Sequence, residues 1–147
     1  MNTSIRLNKK IKALKVVKSQ FNAKKHGLLQ SMADIENQVS VAAKEIEHIR
    51  HTLERVKQLE NPSFNPEIQN SHTLFVQKEA SKLAGIQDKK QRMIKELNGH
   101  RNQLTLFTKK TERLDKKLDA FKCQKQLISA ELIERLNQDM GTQSNGN

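Results

Sequence analysis

The amino-acid sequence predicts an all-α fold, a long antiparallel two-helix coiled-coil hairpin. Apolar residues make up 35% of the 147 residues, and five Phe are present without any Trp or Tyr. Such a composition is too poor to fill a thick globular core. Two long stretches instead carry apolar residues at heptad spacing, and a proline-containing segment separates them. Because a buried catalytic pocket needs a thick core, we expect neither enzymatic activity nor a cofactor.

The first predicted helix covers residues 3–60. From Leu7 onward, steps of four and three residues alternate without a change of phase, and thirteen of the sixteen positions reached are apolar. This spacing is the a/d stripe of a coiled-coil helix, with Leu7 at a d position. The stripe consists of Leu7, Ile11, Leu14, Lys18, Phe21, Lys25, Leu28, Met32, Ile35, Val39, Ala42, Ile46, Ile49, Leu53, Val56 and Glu60.

Residues 61–65 are predicted to form the turn. Pro62 ends the first helix because its ring clashes with the preceding turn and its nitrogen carries no hydrogen. Asn65 followed by Pro66 is a helix start, with Asn as the N-cap and Pro at the first helical position.

The second predicted helix covers residues 66–138, with a further expectation of a kink at 70–73, where helix formers are scarce. Residues 1–139 then form one coiled-coil domain, and 140–147 a disordered tail. Eleven of the sixteen stripe positions in this helix are apolar. They are Leu83, Ile86, Lys90, Met93, Leu97, His100, Leu104, Phe107, Thr111, Leu114, Leu118, Phe121, Lys125, Ile128, Leu132 and Arg135.

Two amphipathic helices with one short connection pack antiparallel, so facing residues have indices of constant sum. The apolar stripes of the two helices face each other when the indices of facing residues add to 125 or, with a longer loop, to 132. A turn centred on Pro62 favours 125. At 125 the first helix ends opposite Phe121, which leaves residues from about 122 to 138 without a partner helix. This unpaired part still carries Ile128 and Leu132, so we expect a binding surface, a dimer contact or a frayed end.

The net charge of +11 is distributed unevenly. Residues 1–33 hold eight Lys and Arg without an acid, and residues 99–128 hold eight with three acids. The hairpin places these segments side by side. Because like charges on paired helices repel, we expect an acidic partner at this end.

Several signals are missing from the sequence. No apolar stretch is long enough for a membrane span, and no apolar run of a signal peptide follows the first basic residues. Phosphate-binding and nucleophile motifs are absent, and a single cysteine, Cys123, cannot form an internal disulfide. We therefore expect a monomeric cytoplasmic protein without a metal site.

The segment IRLNKKIKALKVVK at residues 5–18 resembles the start of the YscO-type proteins of type III secretion systems. Phe75-Val76-Gln77 is similar to a Phe-Ile-Gln at about the same place in the flagellar relative, FliJ. The length, the single hairpin and the basic character also match this family. The resemblance implies a non-enzymatic central stalk, flagellar or virulence-associated, that enters the pore of a hexameric secretion ATPase and stimulates it. It also implies contacts with the cytoplasmic domain of the export gate and with secretion chaperones, beside the inner membrane.

The resemblance and the basic character together assign two contact regions. The opposite tip of the hairpin either caps the helix pair or docks the second partner, through Phe64, Phe75 and Val76. The contact with the acidic ATPase pore is expected at Arg6, Lys9, Lys10, Lys12, Lys15, Lys109, Lys110, Lys116, Lys117, Ile128 and Leu132.

Two other functions stay open. The chain could be a self-associating scaffold in which the first helix pairs with a second copy. Its charge also suits non-specific binding of nucleic acid or an anionic membrane. Specific nucleic-acid recognition is not expected, because stacking aromatic residues and known reading motifs are absent.

Overall fold

A computed structural model describes residues 2–58 and 65–145, with side chains through residue 141. It contains two α-helices, α1 (Asn2–Gln58) and α2 (Pro66–Asn145), which pack against each other. No strand occurs in the described residues. The predicted all-α hairpin is confirmed.

The start of α2 is held by Asn65. Its side-chain Oδ1 accepts the backbone N–H of Glu67 at 3.2 Å, and its carbonyl oxygen accepts the backbone N–H of Gln69 at 3.1 Å. The first bond satisfies an N–H group that has no partner within the helix, and the second is the first i→i−4 bond of α2. Residues 61–64 of the predicted turn lie outside the described residues.

Two local expectations differ from the structure. The helix is uninterrupted through residues 70–73, where the Thr73 hydroxyl donates to the Gln69 carbonyl oxygen at 2.9 Å. The predicted disordered tail is wrong for residues 140–145, which belong to α2. Gly141 lowers helix propensity by about 1 kcal/mol relative to Ala, but it keeps the N–H that a helix needs and no proline follows.

The heptad stripes form the core. Every stripe position from Leu7 to Val56, and from Leu83 to Phe121, is buried or half-buried. The buried zone of α2 also extends toward the start of the helix beyond the predicted stripe. His72, Val76 and Glu79 continue the four–three alternation back from Leu83, and all three are half-buried.

The chain divides into two compact units. The first unit contains Met1–Gly27 and Leu104–Asn147, and the second contains Leu28–Gln103.

Contacts in the first unit give the pairing register. Lys10 lies over the Phe121 ring, with indices that add to 131. Lys18 forms an ion pair with Asp115, with indices that add to 133. Both sums are close to 132 and far from 125. This is expected for side chains beside a seam in which the indices of facing core residues add to 132.

The second unit has the same register. An Arg101 Nη2 lies 3.9 Å from Glu36 Oε1, and both residues occupy e positions of their heptads. Their indices add to 137. When the indices of facing core residues add to 132, the indices of facing e positions add to this value. The preferred sum of 125 is therefore wrong, and the alternative of 132 is the observed register.

Two pairs of opposite charge across the seam occur in this register. A sum of 125 would set Lys18 beside Thr108 and Glu36 beside Ile94. A sum of 132 gives both charged residues a partner of opposite charge. Each of these partly exposed pairs contributes little to stability.

Candidate acidic-partner interface

The charge of the molecule is concentrated in the first unit. Residues 1–27 and 104–147 contain sixteen Lys and Arg and six Asp and Glu, a net charge of +10. The second unit contains eleven basic and ten acidic residues, a net charge of +1. Almost the entire charge of +11 thus belongs to one structural unit, which is the strongest electrostatic feature of the chain.

The nine basic residues predicted to contact a partner all belong to the first unit, and their side chains are all exposed. Five lie on α1 and four on α2. They are Arg6, Lys9, Lys10, Lys12, Lys15, Lys109, Lys110, Lys116 and Lys117.

Phenylalanine rings lie beside the ammonium groups of Lys10, Lys24 and Lys110. Phe21 and Phe107 pack across the seam with ring centroids 5.7 Å apart. The Lys110 Nζ lies 5.8 Å from the Phe21 centroid and 5.6 Å from the Phe107 centroid, and the Lys24 Nζ lies 5.8 Å from the Phe107 centroid. The Lys10 Nζ lies 5.6 Å from the Phe121 centroid. Each contact holds a lysine beside the seam and contributes about 0.5–1 kcal/mol at an exposed site.

Two polar stripe residues of this unit, Lys18 and Thr111, have an ionic or hydrogen-bond partner. Thr111 is buried, and its hydroxyl donates to the Phe107 carbonyl oxygen at 2.8 Å. Lys18, at a core position, reaches Asp115 on α2. The non-apolar stripe positions Lys18 and Thr111 are thus accommodated in the helix pair without an unpaired buried polar group.

The two sides of the helix pair differ in charge. In an antiparallel pair, the g and c positions of both helices line one side of the seam, and the e and b positions line the other. The g/c face of residues 1–27 and 104–128 has no acidic residue. Its six basic residues are Arg6, Lys10, Lys24, Lys110, Arg113 and Lys117.

The e/b face of the same segments is electrically balanced. It carries the three lysines Lys12, Lys15 and Lys122. It also carries all three acids of residues 104–128, namely Glu112, Asp115 and Asp119. The excess positive charge that flanks the seam therefore lies on the g/c face alone. The sequence prediction did not separate the two faces and did not include Lys24 or Arg113, although the heptad positions of the bases carry this information.

The two predicted apolar contact residues of α2 lie in different environments. Ile128 is half-buried and, with Leu7, Phe121 and Leu127, supplies the apolar lining of a groove on the g/c face. Leu132 is 53% exposed and does not line this groove. The polar lining of the groove comes from Thr3, Arg6, Lys10 and Gln124.

The unpaired part of α2 is shorter than predicted. At a sum of 132, residue 4 lies opposite Ile128, so pairing continues past residue 122. From residue 129 to residue 140 every side chain is exposed, and we call residues 129–141 the overhang. Its exposed apolar residues include Ile133, Leu136 and Met140. The overhang has a net charge of −2, opposite in sign to the rest of the first unit.

The predicted second contact region is partly described. Phe64 lies outside the described residues. Phe75 is 42% exposed, whereas its neighbour Val76 is half-buried in line with the α2 stripe. Of the two, Phe75 is the more exposed.

The described residues contain no group of three or more His, Cys, Asp and Glu side chains that could hold a metal ion. Cys123 is exposed. Neither α1 nor α2, over its described length, contains a stretch long and apolar enough to cross a membrane.

No protein-family model, curated protein or solved structure matches the chain.

Proposed function

We propose that this protein is a non-enzymatic central stalk of a type III secretion apparatus, which binds and stimulates the hexameric export ATPase. The observation that carries the proposal is the net charge of +10 on the first unit, because the other unit is close to neutral. A ring-shaped socket lined with carboxylates would relieve the repulsion among these lysines. The resemblance of residues 5–18 and of Phe75-Val76-Gln77 to the YscO/FliJ family supplies the identity of the partner.

The remaining parts of the proposal concern the second partner and the cellular location. We assign contacts with the export gate and secretion chaperones to the region of Phe75, whose ring is exposed on α2. The protein would then act in the cytoplasm, next to the inner-membrane secretion apparatus. These assignments rest on the family resemblance and on the exposure of Phe75.

The test is a binding and turnover experiment with the export ATPase of the same secretion system. Lys9, Lys10 and Lys12 are replaced together by Glu, and ATPase association and ATP hydrolysis are measured. We expect both to fall at least about tenfold, equivalent to about 1.4 kcal/mol. The matched control replaces Lys78, Lys89 and Lys95 of the second unit by Glu, which changes the net charge equally. Unchanged association and stimulation in the first variant would refute the proposal.

Non-specific polyanion binding is the second candidate, and the absence of acids on the g/c face favours it. Binding to duplex DNA that disappears between about 50 and 200 mM salt would indicate purely electrostatic attraction. An ATPase complex that survives the higher salt concentration would separate the stalk function from this second candidate.

A further inference from the structure

The g/c face of the first unit combines positive charge with apolar surface. Its six basic residues occur without an acid on the same face. Leu106 and Leu127 occupy c positions of this face and are both mostly exposed. The groove lined by Leu7, Phe121 and Ile128 lies on the same side.

Three lysines of this face lie beside aromatic rings. The aromatic contacts keep the ammonium groups of Lys10, Lys24 and Lys110 against the Phe rings at the edges of the helix pair. Among the described residues, the ion pairs of the first unit include Lys18–Asp115 but none with a lysine of the g/c face. Positive charge therefore lies on both helices of this face, which also carries Leu106 and Leu127.

Facing like charges point to an external partner. Lys10 and Lys117 occupy facing g positions, and like charges at such positions destabilise a helix pair by a few tenths of a kcal/mol. An acidic residue at either position would remove this cost. Because the cost is present, an anion that lies between the two lysines gains affinity from them. Lys15 and Lys122 repel in the same way at facing e positions, but acids share that face, whereas the g/c face has none.

We propose that the g/c face binds an acidic amphipathic helix of the partner, which packs as a third helix along the seam. Its apolar residues contact Leu106, Leu127 and the groove beside Phe121. Its carboxylates pair with Lys10, Lys24, Lys110 and Lys117. The inference rests on the proposed function for the partner's identity, the export ATPase, whereas the chemistry of the face can be tested without that partner.

The experiment uses a fluorescent synthetic peptide of about three heptads, with Leu at its a and d positions and Glu at its e and g positions. Its affinity for the full chain is measured by fluorescence anisotropy. One variant carries Lys10→Glu and Lys117→Glu on the g/c face. The matched control carries Lys89→Glu and Lys122→Glu, two exposed lysines outside the g/c face of the first unit, and changes the net charge equally.

We expect the g/c variant to bind the peptide at least about tenfold more weakly and the control variant to lose less than about threefold. Equal losses in both variants would overturn the inference, because net charge alone would then explain binding. Duplex DNA that binds as tightly as the peptide, with the same dependence on the variants, would also overturn it in favour of phosphate binding.

Circular dichroism shows whether each variant keeps its helices. If the Glu variant unfolds, Lys10→Gln with Lys117→Gln, compared with Lys89→Gln and Lys122→Gln, repeats the comparison without new charges. Selective peptide binding together with a failure to bind the export ATPase would refute the proposed function and leave the g/c face assignment intact.

Discussion

Leu118 is 4% exposed, the lowest value among the buried apolar side chains of the structure. A pair of helices has a core only one layer of side chains thick, so each buried residue carries a large share of the stability. Leu118 lies at an a position of α2, in the same unit as the basic residues.

Replacement of Leu118 by Ala should lower the free energy of unfolding by about 2–3 kcal/mol, the low end of the range for buried Leu because the cavity opens to solvent. Urea denaturation followed by circular dichroism measures the change. The control is Leu106→Ala, since Leu106 is 58% exposed and should change stability by less than about 0.5 kcal/mol. Similar losses for both variants would show that the stripe does not form the core.

The lysines at g positions illustrate how one residue serves packing and charge together. The apolar stem of a lysine covers the edge of the seam while its ammonium stays in water. Lys110 does so over two rings, Phe21 and Phe107. The first unit can therefore keep an acid-free face without exposing its aromatic core.

At the scale of the helices, the central feature is the register in which α1 and α2 pair. A heptad stripe repeats every seven residues, so a shift by one heptad again sets apolar layers opposite apolar layers. The positions that distinguish the two registers are the flanking charged residues. Lys18–Asp115 and Glu36–Arg101 are pairs that occur at a sum of 132.

Engineered disulfides should distinguish the registers, since two cysteines bond only when their Cα atoms lie within about 7 Å. In a Cys123→Ser background, Ile46→Cys with Ile86→Cys matches a sum of 132, and Ile46→Cys with Glu79→Cys matches 125. We expect the first pair to oxidise almost completely and the second to stay reduced, as measured by gel mobility and thiol labelling. Preferential oxidation of the second pair would establish the register of 125.

The sequence predicted both helices and their buried faces, because the a/d alternation is a local property that needs no knowledge of the partner. It also placed the N-cap at Asn65. It was less successful at the ends of the stripe. Val76 and Glu79 were not included in the α2 stripe because the charged Glu79 interrupts the apolar pattern. The predicted unpaired part of α2 was too long because the residue at which it starts depends on the pairing register.

On the scale of the whole molecule, the uneven charge is the dominant feature. The first unit has a net charge of +10 and the second +1. In the first unit the facing pairs Lys10–Lys117 and Lys15–Lys122 are both repulsive. Salt screens such repulsion, with a Debye length that falls from about 30 Å at 0.01 M to about 8 Å at 0.15 M.

Stability should therefore rise with salt in the first unit and stay nearly constant in the second. An increase from about 0.01 M to 0.15 M NaCl should add about 0.5 kcal/mol to the protection of amides around Leu14 and Leu118, from two like-charge pairs. Amides around Ile46 and Leu97 act as the internal control. Hydrogen exchange measures both groups in one sample. A loss of protection around Leu118 at higher salt would contradict the electrostatic account.

The candidate site was predictable in part. The sequence identified the nine exposed bases because charge counts along the chain need no structure. It did not divide them between the two faces, although their heptad positions and the predicted antiparallel pairing carry that division. The structure makes this division through the contacts of Lys10, Lys24 and Lys110 with the Phe rings.

The sequence by itself determined that the chain forms two helices, which faces they bury, and where the positive charge lies. These properties follow from heptad periodicity, helix capping and composition, all of which act locally. Tertiary structure alone decided the pairing register and the true start of the overhang. The physical reason is that a seven-residue repeat leaves shifts by one heptad nearly equal in apolar packing. The register therefore depends on the sum of interactions between distant residues, and it is the one in which Lys18 pairs with Asp115 and Glu36 with Arg101.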